Sequence, residues 1–595
     1  MSTTRSILIT QCVQNDFVRP LSHGEPLPNL VHVGALEAER LAGPTGALPA
    51  FLQAAHGIAG DRLAIVHVMD QHDAARDAEH FRLFRPHCVA GTAGAELIDP
   101  IPSMAAARTG TQIVAAADLN DFEDSALPQV LAALTSDPST RIGVIGVWTD
   151  AKVAMLLYDL ATRMKARSLA TCSALTASRS LSSHFEGLER IASHLGVEVF
   201  HSPASFLRWL VPCGADAPRS DDRERLVGAV TGGADVALTP LAGGFSGAQV
   251  LLLRAPGREA RIVKIGARDE IARERFGNER IRRILGDTVP RLHAYHEGSS
   301  LAAMEVALAD SGDAAVEPPA TFKKRYEADD GDVETRLLER ALVAVLDQRL
   351  GRLYRAAEKD NADLLTVYGF TDNLSRPMFA DSVAAKADGI ATAAGFSGAD
   401  ELLSSAGLPE PWMAPRRFYQ GWLPSREMPR EVAMGLVHGD LNLANILLSR
   451  NAASGDLAAL WVIDFARLAR MPVLTDFAKI ENDLAYILQP LPDPSALDRA
   501  AVLQDRRLSS ETLLVEGLPD LAADAGARRH AILVRALRRV AATLDPRGAE
   551  AMRDYRIALL RFAAHTLGFD EPSLMQRRLA LLACARLAGL IASVA

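Results

Sequence analysis

Residues 436–447 read Leu-Val-His-Gly-Asp-Leu-Asn-Leu-Ala-Asn-Ile-Leu, and a second acid, Asp464, follows the apolar run Ala459 to Ile463. Asp440, Asn445 and Asp464 therefore supply a carboxylate, an amide five residues on, and another carboxylate after a hairpin's length of chain. Phosphoryl transfer from ATP needs such a set. One carboxylate orients the attacking hydroxyl and accepts its proton, while an amide oxygen and a second carboxylate hold magnesium on the phosphates. Asp440 is the candidate base, Asn445 and Asp464 are the candidate metal ligands, and ATP and Mg2+ are the implied cofactors. A His-Gly-Asp triplet alone is an ordinary turn. The joint spacing, with a buried strand delivering Asp464, carries the reading.

The elements that must position these groups lie upstream. The run Leu238 to Ala242 leads into Gly243-Gly244-Phe245-Ser246-Gly247 and then Val250-Leu251-Leu252-Leu253, a strand, glycine-rich turn and strand. Gly243, Gly244 and Gly247 let backbone amides approach phosphate oxygens without a side-chain clash. The run Arg261 to Ile265 forms the next strand and carries Lys264 among apolar neighbours, a candidate phosphate-binding cation. The helical stretch Glu270 to Leu285 offers Glu274 and Glu279 as its partner; Glu279, preceding Ile281 and Leu285, is preferred. The run Ala302 to Val306 fits a hinge between two lobes, where backbone groups of Met304 and Val306 would bind adenine.

From Leu238 to Leu488 the chain resembles the aminoglycoside phosphotransferase and protein-kinase-like superfamily. Within it, Leu474-Thr475-Asp476-Phe477-Ala478-Lys479-Ile480-Glu481 is similar to a segment of the kinase-like domains called ternary-complex-associated in bacterial conflict systems. The resemblance implies that Asp440 is the base, Asn445 and Asp464 bind metal, Lys264 binds phosphate, and Asp476 steadies the catalytic loop. Two departures count. The metal-binding triplet is Asp464-Phe465-Ala466, without the usual glycine, and no Ala-Pro-Glu segment marks an activation loop.

The first third has other chemistry. Apolar strands at Ser6–Thr10, Arg62–Val68 and Arg141–Val147 alternate with helical stretches, and Thr149-Asp150 is placed to cap a helix over Ala151 to Met164. Such alternation predicts an α/β parallel sheet with helices on both faces. With Gln14-Asn15-Asp16-Phe17, the small-residue loop Pro86 to Leu97, Thr176-Ala177-Ser178-Arg179-Ser180 and His184, these segments resemble the isochorismatase-like cysteine hydrolases, which include nicotinamidases. That family uses an Asp, a Lys and a Cys nucleophile. Here Cys12, Ala116 and Lys152 stand at those positions. Amide hydrolysis by that route needs a thiolate at a helix N-terminus, so the resemblance implies a degenerate hydrolase kept for binding or assembly. Asp70-Gln71-His72 matches the start of the nicotinamidase metal site, but His80 and His87 lie at spacings that make them poor third ligands.

The 595 residues exceed what one core supports. The reading is a three-layer α/β domain over 1–212, a linker over 213–235, a two-lobed α+β kinase-like domain over 236–308 and 309–498 with a helical insertion, and a helical extension over 499–595. A net charge of −9 with mixed signs implies no nucleic acid. Five irregularly spaced cysteines and no leader-like N-terminus fit a reducing cytoplasm. The apolar stretch Leu579 to Ala595 is broken by Arg586 and reads as a packed helix, not a membrane span. The helix Val153 to Leu160 is a candidate surface for a homo-oligomer. Three functions stay open: a phosphotransferase with unknown acceptor, small molecule or protein; a pseudokinase scaffold, opposed by Lys264, Asp440, Asn445 and Asp464 together; and a hydrolase with a rebuilt site, opposed by Lys152.

Overall fold

The computed structural model describes residues 6–44, 46–123, 125–212, 221–232, 236–241, 248–255, 259–309, 315–328, 331–370, 379–522 and 524–594. The chain forms two compact units, Met1–Phe276 with His293–Val306, and Gly277–Leu292 with Ala307–Ala595. The segment 236–308 expected as a kinase-like N-lobe is thus divided: 236–276 and 293–306 fall with the N-terminal domain, and 277–292 and 307–308 fall with the expected C-lobe and helical extension.

The N-terminal domain is built on β1 (Ser6–Gln11), β2 (Leu63–Asp70), β3 (Thr111–Ala116), β4 (Arg141–Val147), β5 (Ser168–Ala177) and β6 (Glu198–Phe200). Their order is β3-β2-β1-β4-β5-β6, with every neighbouring pair parallel. Successive side chains leave a strand on opposite faces. Leu8, Ile65 and Ile145 enter one core, and Ile7, Ile9, Val66 and Val144 enter the other. A sheet buried on both faces requires unbroken apolar strands, which the sequence supplies. In helix α1 (Ala154–Thr162), Leu156, Leu157 and Leu160 pack into the second core, while Met155 and Tyr158 are exposed. The stripe that suggested oligomerisation therefore belongs to the domain's own interior. Thr149 does not cap this helix. Residues Thr149–Val153 form a π turn, and the Thr149 hydroxyl meets His184 Nδ1 at 2.8 Å. Helices α2 (Leu181–Leu195) and α3 (Pro203–Leu210) complete the layers.

Within the expected linker, helix α4 (Asp222–Thr231) packs Leu226 and Val230 against Leu251, Leu253, Val263 and Ile265. Those strand residues belong to an antiparallel run, β7 (Ala237–Pro240), β8 (Gln249–Arg254) and β9 (Arg261–Ala267), in a five-stranded sheet of order β10-β11-β9-β8-β7. β10 is Leu292–Glu297 and β11 is Leu301–Ala307. The buried Asp222 carboxylate accepts from the amides of Ser299, Ser300 and Leu301 at 2.8–3.0 Å, fastening α4 to the β10–β11 turn. Burial alone would raise this carboxyl, but the amide donors outweigh it and hold it well below its usual range. Helix α5 (Arg268–Leu285) follows β9 directly.

The second unit holds two small sheets, β12-β15-β16 and β13-β14-β17, formed by Ala320–Thr321, Ile446–Arg450, Leu457–Val462 and by Glu358–Asp363, Pro429–Val437, Ala469–Pro472. Helix α6 (Gly331–Val343), α7 (Thr475–Asp483) and the C-terminal α8 (Ala525–Leu544), α9 (Ala549–Thr566) and α10 (Leu574–Ala592) share one apolar core with them. Glu481 of α7 is fully buried. Arg538 of α8 grips it with two bonds of 2.7 and 2.8 Å, Arg507 lies at 3.3 Å, and the Tyr555 hydroxyl of α9 donates at 2.9 Å. A buried carboxylate is tolerable only when so paired. Arg586, which interrupts the apolar C-terminal stretch, donates to Asp505 at 2.7 Å. Among the described residues no helix is long and apolar enough to cross a membrane.

Candidate functional site

The turn after β14 begins with His438 and is pinned from below by one side chain. Asp476, in the first turn of α7 and fully buried, accepts from the amides of His438 (2.8 Å) and Gly439 (2.9 Å) and from the Tyr354 hydroxyl (2.9 Å). Gly439 has φ +81°, and a Cβ there would collide with the Arg467 carbonyl oxygen, so only glycine fits. The next residue, Asp440, has a half-exposed carboxylate. Asn445 donates its side-chain NH2 to the Asp440 carbonyl at 3.1 Å, which fixes the orientation of the amide and so of its acceptor oxygen. The Asn445 carbonyl in turn accepts from Ile463 N at 3.0 Å, and the Ile463 carbonyl accepts from His438 Nε2 at 2.9 Å. The two strand ends that deliver Asn445 and Asp464 are thereby laced to the turn that delivers Asp440. Asp464 itself has φ +65°, a left-handed conformation uncommon outside glycine and a mark of functional sites.

One residue of this site escaped the sequence reading. Lys479, on α7 one turn after Asp476, sends Nζ to 2.9 Å from Asp483 Oδ1 and 3.7 Å from Asp440 Oδ1. Burial opposes its charge, but the two carboxylates win and raise its pKa, so it stays an ammonium. The other Asp483 oxygen accepts from Leu443 N at 3.2 Å, tying the lysine's holder to the same loop. The signal was the periodicity of the segment: 476, 479 and 483 share one helical face.

In the first unit, Lys264 of β9 donates to Glu274 Oε2 at 2.6 Å. This corrects the preference for Glu279. The buried stripe of α5 runs through Ile271, Glu274, Asn278, Ile281 and Leu285. Glu279 stands two residues from Ile281, about 200° around the helix, and so lies off that stripe. Met304 is buried on β11 and Val306 is half-buried, and the first unit ends at Val306. Gly243, Gly244 and Gly247 lie outside the described residues.

The N-terminal domain gathers its polar residues at the carboxyl ends of its strands, where a parallel sheet opens its crevice. Cys12 follows β1, Asp70 ends β2, Ala116 ends β3, and Lys152 follows β4. Lys152 Nζ donates to Asp70 Oδ1 and lies 3.2 Å from Asp121 Oδ1, all three buried. Burial alone would raise the Asp70 carboxyl, but Lys152 holds it well below its usual range. Asp121, buried beside a lysine already paired, is pushed up to about 6. Cys12 is fully buried, and burial with the nearby Asp70 charge pushes its thiol well above its usual range. No reactive thiolate forms under those conditions.

Beside Asp70 the structure corrects the dismissal of His80 and His87. His72, His80 and His87 present ring nitrogens that all lie within 4.8 Å of one another. The His87 Nδ1–H donates to the Arg85 carbonyl at 2.8 Å, which aims the Nε2 lone pair at the cluster. Both His72 nitrogens and His80 Nε2 are buried without a hydrogen-bond partner. Burial, joined by neighbouring imidazoles, lowers the His80 pKa, and burial lowers that of His87, so both stay neutral as metal ligands require. Asp70 Oδ2 lies 3.9 Å from His72 Nε2 and from His87 Nε2. These donors fit a borderline divalent cation such as Zn2+, which would supply a fixed positive charge there. His80 lies on the short helix Ala78–Phe84, which the chain folds back over His72, a closure that spacing alone does not reveal.

The family model described as ternary complex associated domain 9 matches residues 234–411 and 411–568, more than half of the chain. No curated protein matches the chain. Among solved structures, the nicotinamidase PncA of Bacillus subtilis is 20% identical over 33% of this chain and 98% of its own, with a TM-score of 0.28. An isochorismatase-like hydrolase from Alkaliphilus metalliredigens is 22% identical over 34% of this chain and 98% of its own, with a TM-score of 0.27. The yeast nicotinamidase Pnc1p is 18% identical over 33% of this chain and 98% of its own, with a TM-score of 0.25.

Proposed function

This chain belongs to the ternary complex associated domain 9 family, and we propose that it is an ATP- and magnesium-dependent phosphotransferase. The reading is carried by one observation: Asp440 and Asn445 on a single pinned turn, hydrogen-bonded to the residue that precedes Asp464. In the proposed reaction Asp440 accepts the proton of the acceptor hydroxyl. The oxygen attacks the γ-phosphorus, the bond to the bridging β–γ oxygen breaks, and ADP leaves. Magnesium, when bound, offsets charge on the phosphates; Asn445 and Asp464 would hold it. Lys264, oriented by Glu274, supplies the cation for the non-transferring phosphates. Backbone groups near Met304 and Val306 would receive adenine. The acceptor is a hydroxylated small molecule or a protein side chain.

The N-terminal domain carries no amide hydrolysis in this reading. Lys152 occupies the nucleophile position as a buried ammonium paired to Asp70, and Cys12 is a buried neutral thiol. Its role is binding, with the histidine cluster as its metal-holding part.

Titrating the full chain with ATP tests the assignment. Binding should require magnesium and weaken at least roughly tenfold in Asp464→Ala, as for loss of a metal-site group. Unchanged magnesium-dependent affinity in that variant removes Asp464 as a ligand. Transfer of γ-phosphate into cell extract then identifies the acceptor class.

A further inference from the structure

Helix α5 is held on two sides within the first unit. On one side Glu274 meets Lys264. Phe276 lies two residues on, about 200° around the helix, and faces the N-terminal domain. Its ring stacks on His201 at 4.2 Å between centroids, with planes 30° apart, and takes the edge of Phe185 at 5.0 Å and 87°. Two polar ties lie on the N-terminal side of this contact, one at Asp269 about two turns earlier and one at Arg275, next to Phe276. Asp269 accepts from the Ser205 hydroxyl, and Arg275 donates to the His201 carbonyl at 3.3 Å. Phe185 belongs to α2 and Ser205 to α3, so three separate pieces of the N-terminal domain converge on one helix.

From this geometry we infer that the N-terminal domain is the seat of α5 and that Phe276 is a positioning residue for the Lys264–Glu274 ion pair. The inference rests on the phosphotransferase reading for its catalytic consequence, but the seating itself does not. An ion pair holds a phosphate-binding lysine in place only if the helix bearing the carboxylate is fixed. The buried stripe of α5 holds the helix from the face that carries Glu274. The stacked and edge-on rings do so from the opposite side, in offset geometries that aromatic quadrupoles favour. His201 is half-buried, and desolvation with Arg275 nearby pushes its imidazole down to about 3, so the stack is between neutral rings. A domain that has lost its hydrolytic groups would be retained for this contact.

The test uses the full chain and two readouts. Hydrogen exchange of α5 amides is measured against those of β1 and β4, and turnover of ATP is measured with magnesium. His201→Ala and Phe276→Ala should speed exchange across α5 by roughly tenfold or more while the sheet stays protected, and should lower turnover by roughly 10–10². His201→Phe keeps a ring against Phe276 and should restore both. Should Phe276→Ala fail to fold, His201→Ala with its His201→Phe rescue carries the comparison alone. Unchanged α5 exchange in His201→Ala overturns the seating. Faster exchange with unchanged turnover overturns the positioning role. A wild-type chain that turns over no ATP overturns the phosphotransferase reading and with it the positioning role, while the exchange arm still decides the seating.

Discussion

Lys479 Nζ stands 3.7 Å from Asp440 Oδ1, and 2.9 Å from Asp483 on its own helix. The candidate base therefore shares a buried ammonium with a second acid. A charge in that place steadies the Asp440 carboxylate and, in the proposed transfer, would lie beside the reacting atoms. Lys479→Met should lower turnover by roughly 10²-fold, and Lys479→Arg should recover part of it. Steady-state kinetics beside ATP affinity checks this. A Lys479→Met chain with wild-type turnover would show the lysine to be a structural ion-pair partner alone.

Asp476 should matter more for order than for chemistry. It satisfies two buried amides and a buried hydroxyl at once. Removing it strands those donors, at about 1–3 kcal/mol each. Asp476→Ala should destabilise the second unit by several kcal/mol or disorder residues 437–445. Thermal unfolding together with hydrogen exchange of that turn measures it, and a chain of unchanged stability with a protected turn would contradict the account.

How far the sequence discloses this molecule depends on the range of the contacts involved. Apolar strands buried on both faces announce the parallel sheet, because each residue reports its own burial, as Ile7 to Ile9 do. The Asp440, Asn445 and Asp464 set is legible because strand–turn–strand geometry is local. Glu274 is missed for Glu279 through a phase error on one helix. Ile281 lies only two residues from Glu279, and a helix face is set by residues three and four apart. Lys479 is missed because α7 folds it under a turn nearly forty residues earlier in the chain. His80 and His87 reach His72 through loop closure, which leaves no periodic signature. The Glu481 network is equally silent, since its arginines come from chain far beyond α7.

The histidine cluster should bind Zn2+ or Co2+ in solution. Three converging imidazoles, with both His72 nitrogens and His80 Nε2 buried and unsatisfied, are the reason. Equilibrium dialysis and the visible spectrum of a Co2+-loaded chain provide the readouts, with loss of at least roughly tenfold in affinity for His72→Ala or His87→Ala. Affinity equal to wild type in both variants would dismiss the site.

Nicotinamide and related amides should not be hydrolysed by this chain. The ammonium of Lys152 and the buried Cys12 offer no thiolate at the reacting position. A robust amidase rate that disappears in Lys152→Ala or Cys12→Ala would reverse that conclusion.

The most direct measurement is the loss of γ-phosphate from ATP in the presence of magnesium, compared between the wild-type chain and Asp440→Asn, with ATP affinity measured on both. The wild-type chain should turn over ATP, and Asp440→Asn should turn it over about 10²–10⁴-fold more slowly while largely keeping ATP binding. Turnover in Asp440→Asn close to that of wild type, with the variant folded and binding ATP, would contradict Asp440 as the base.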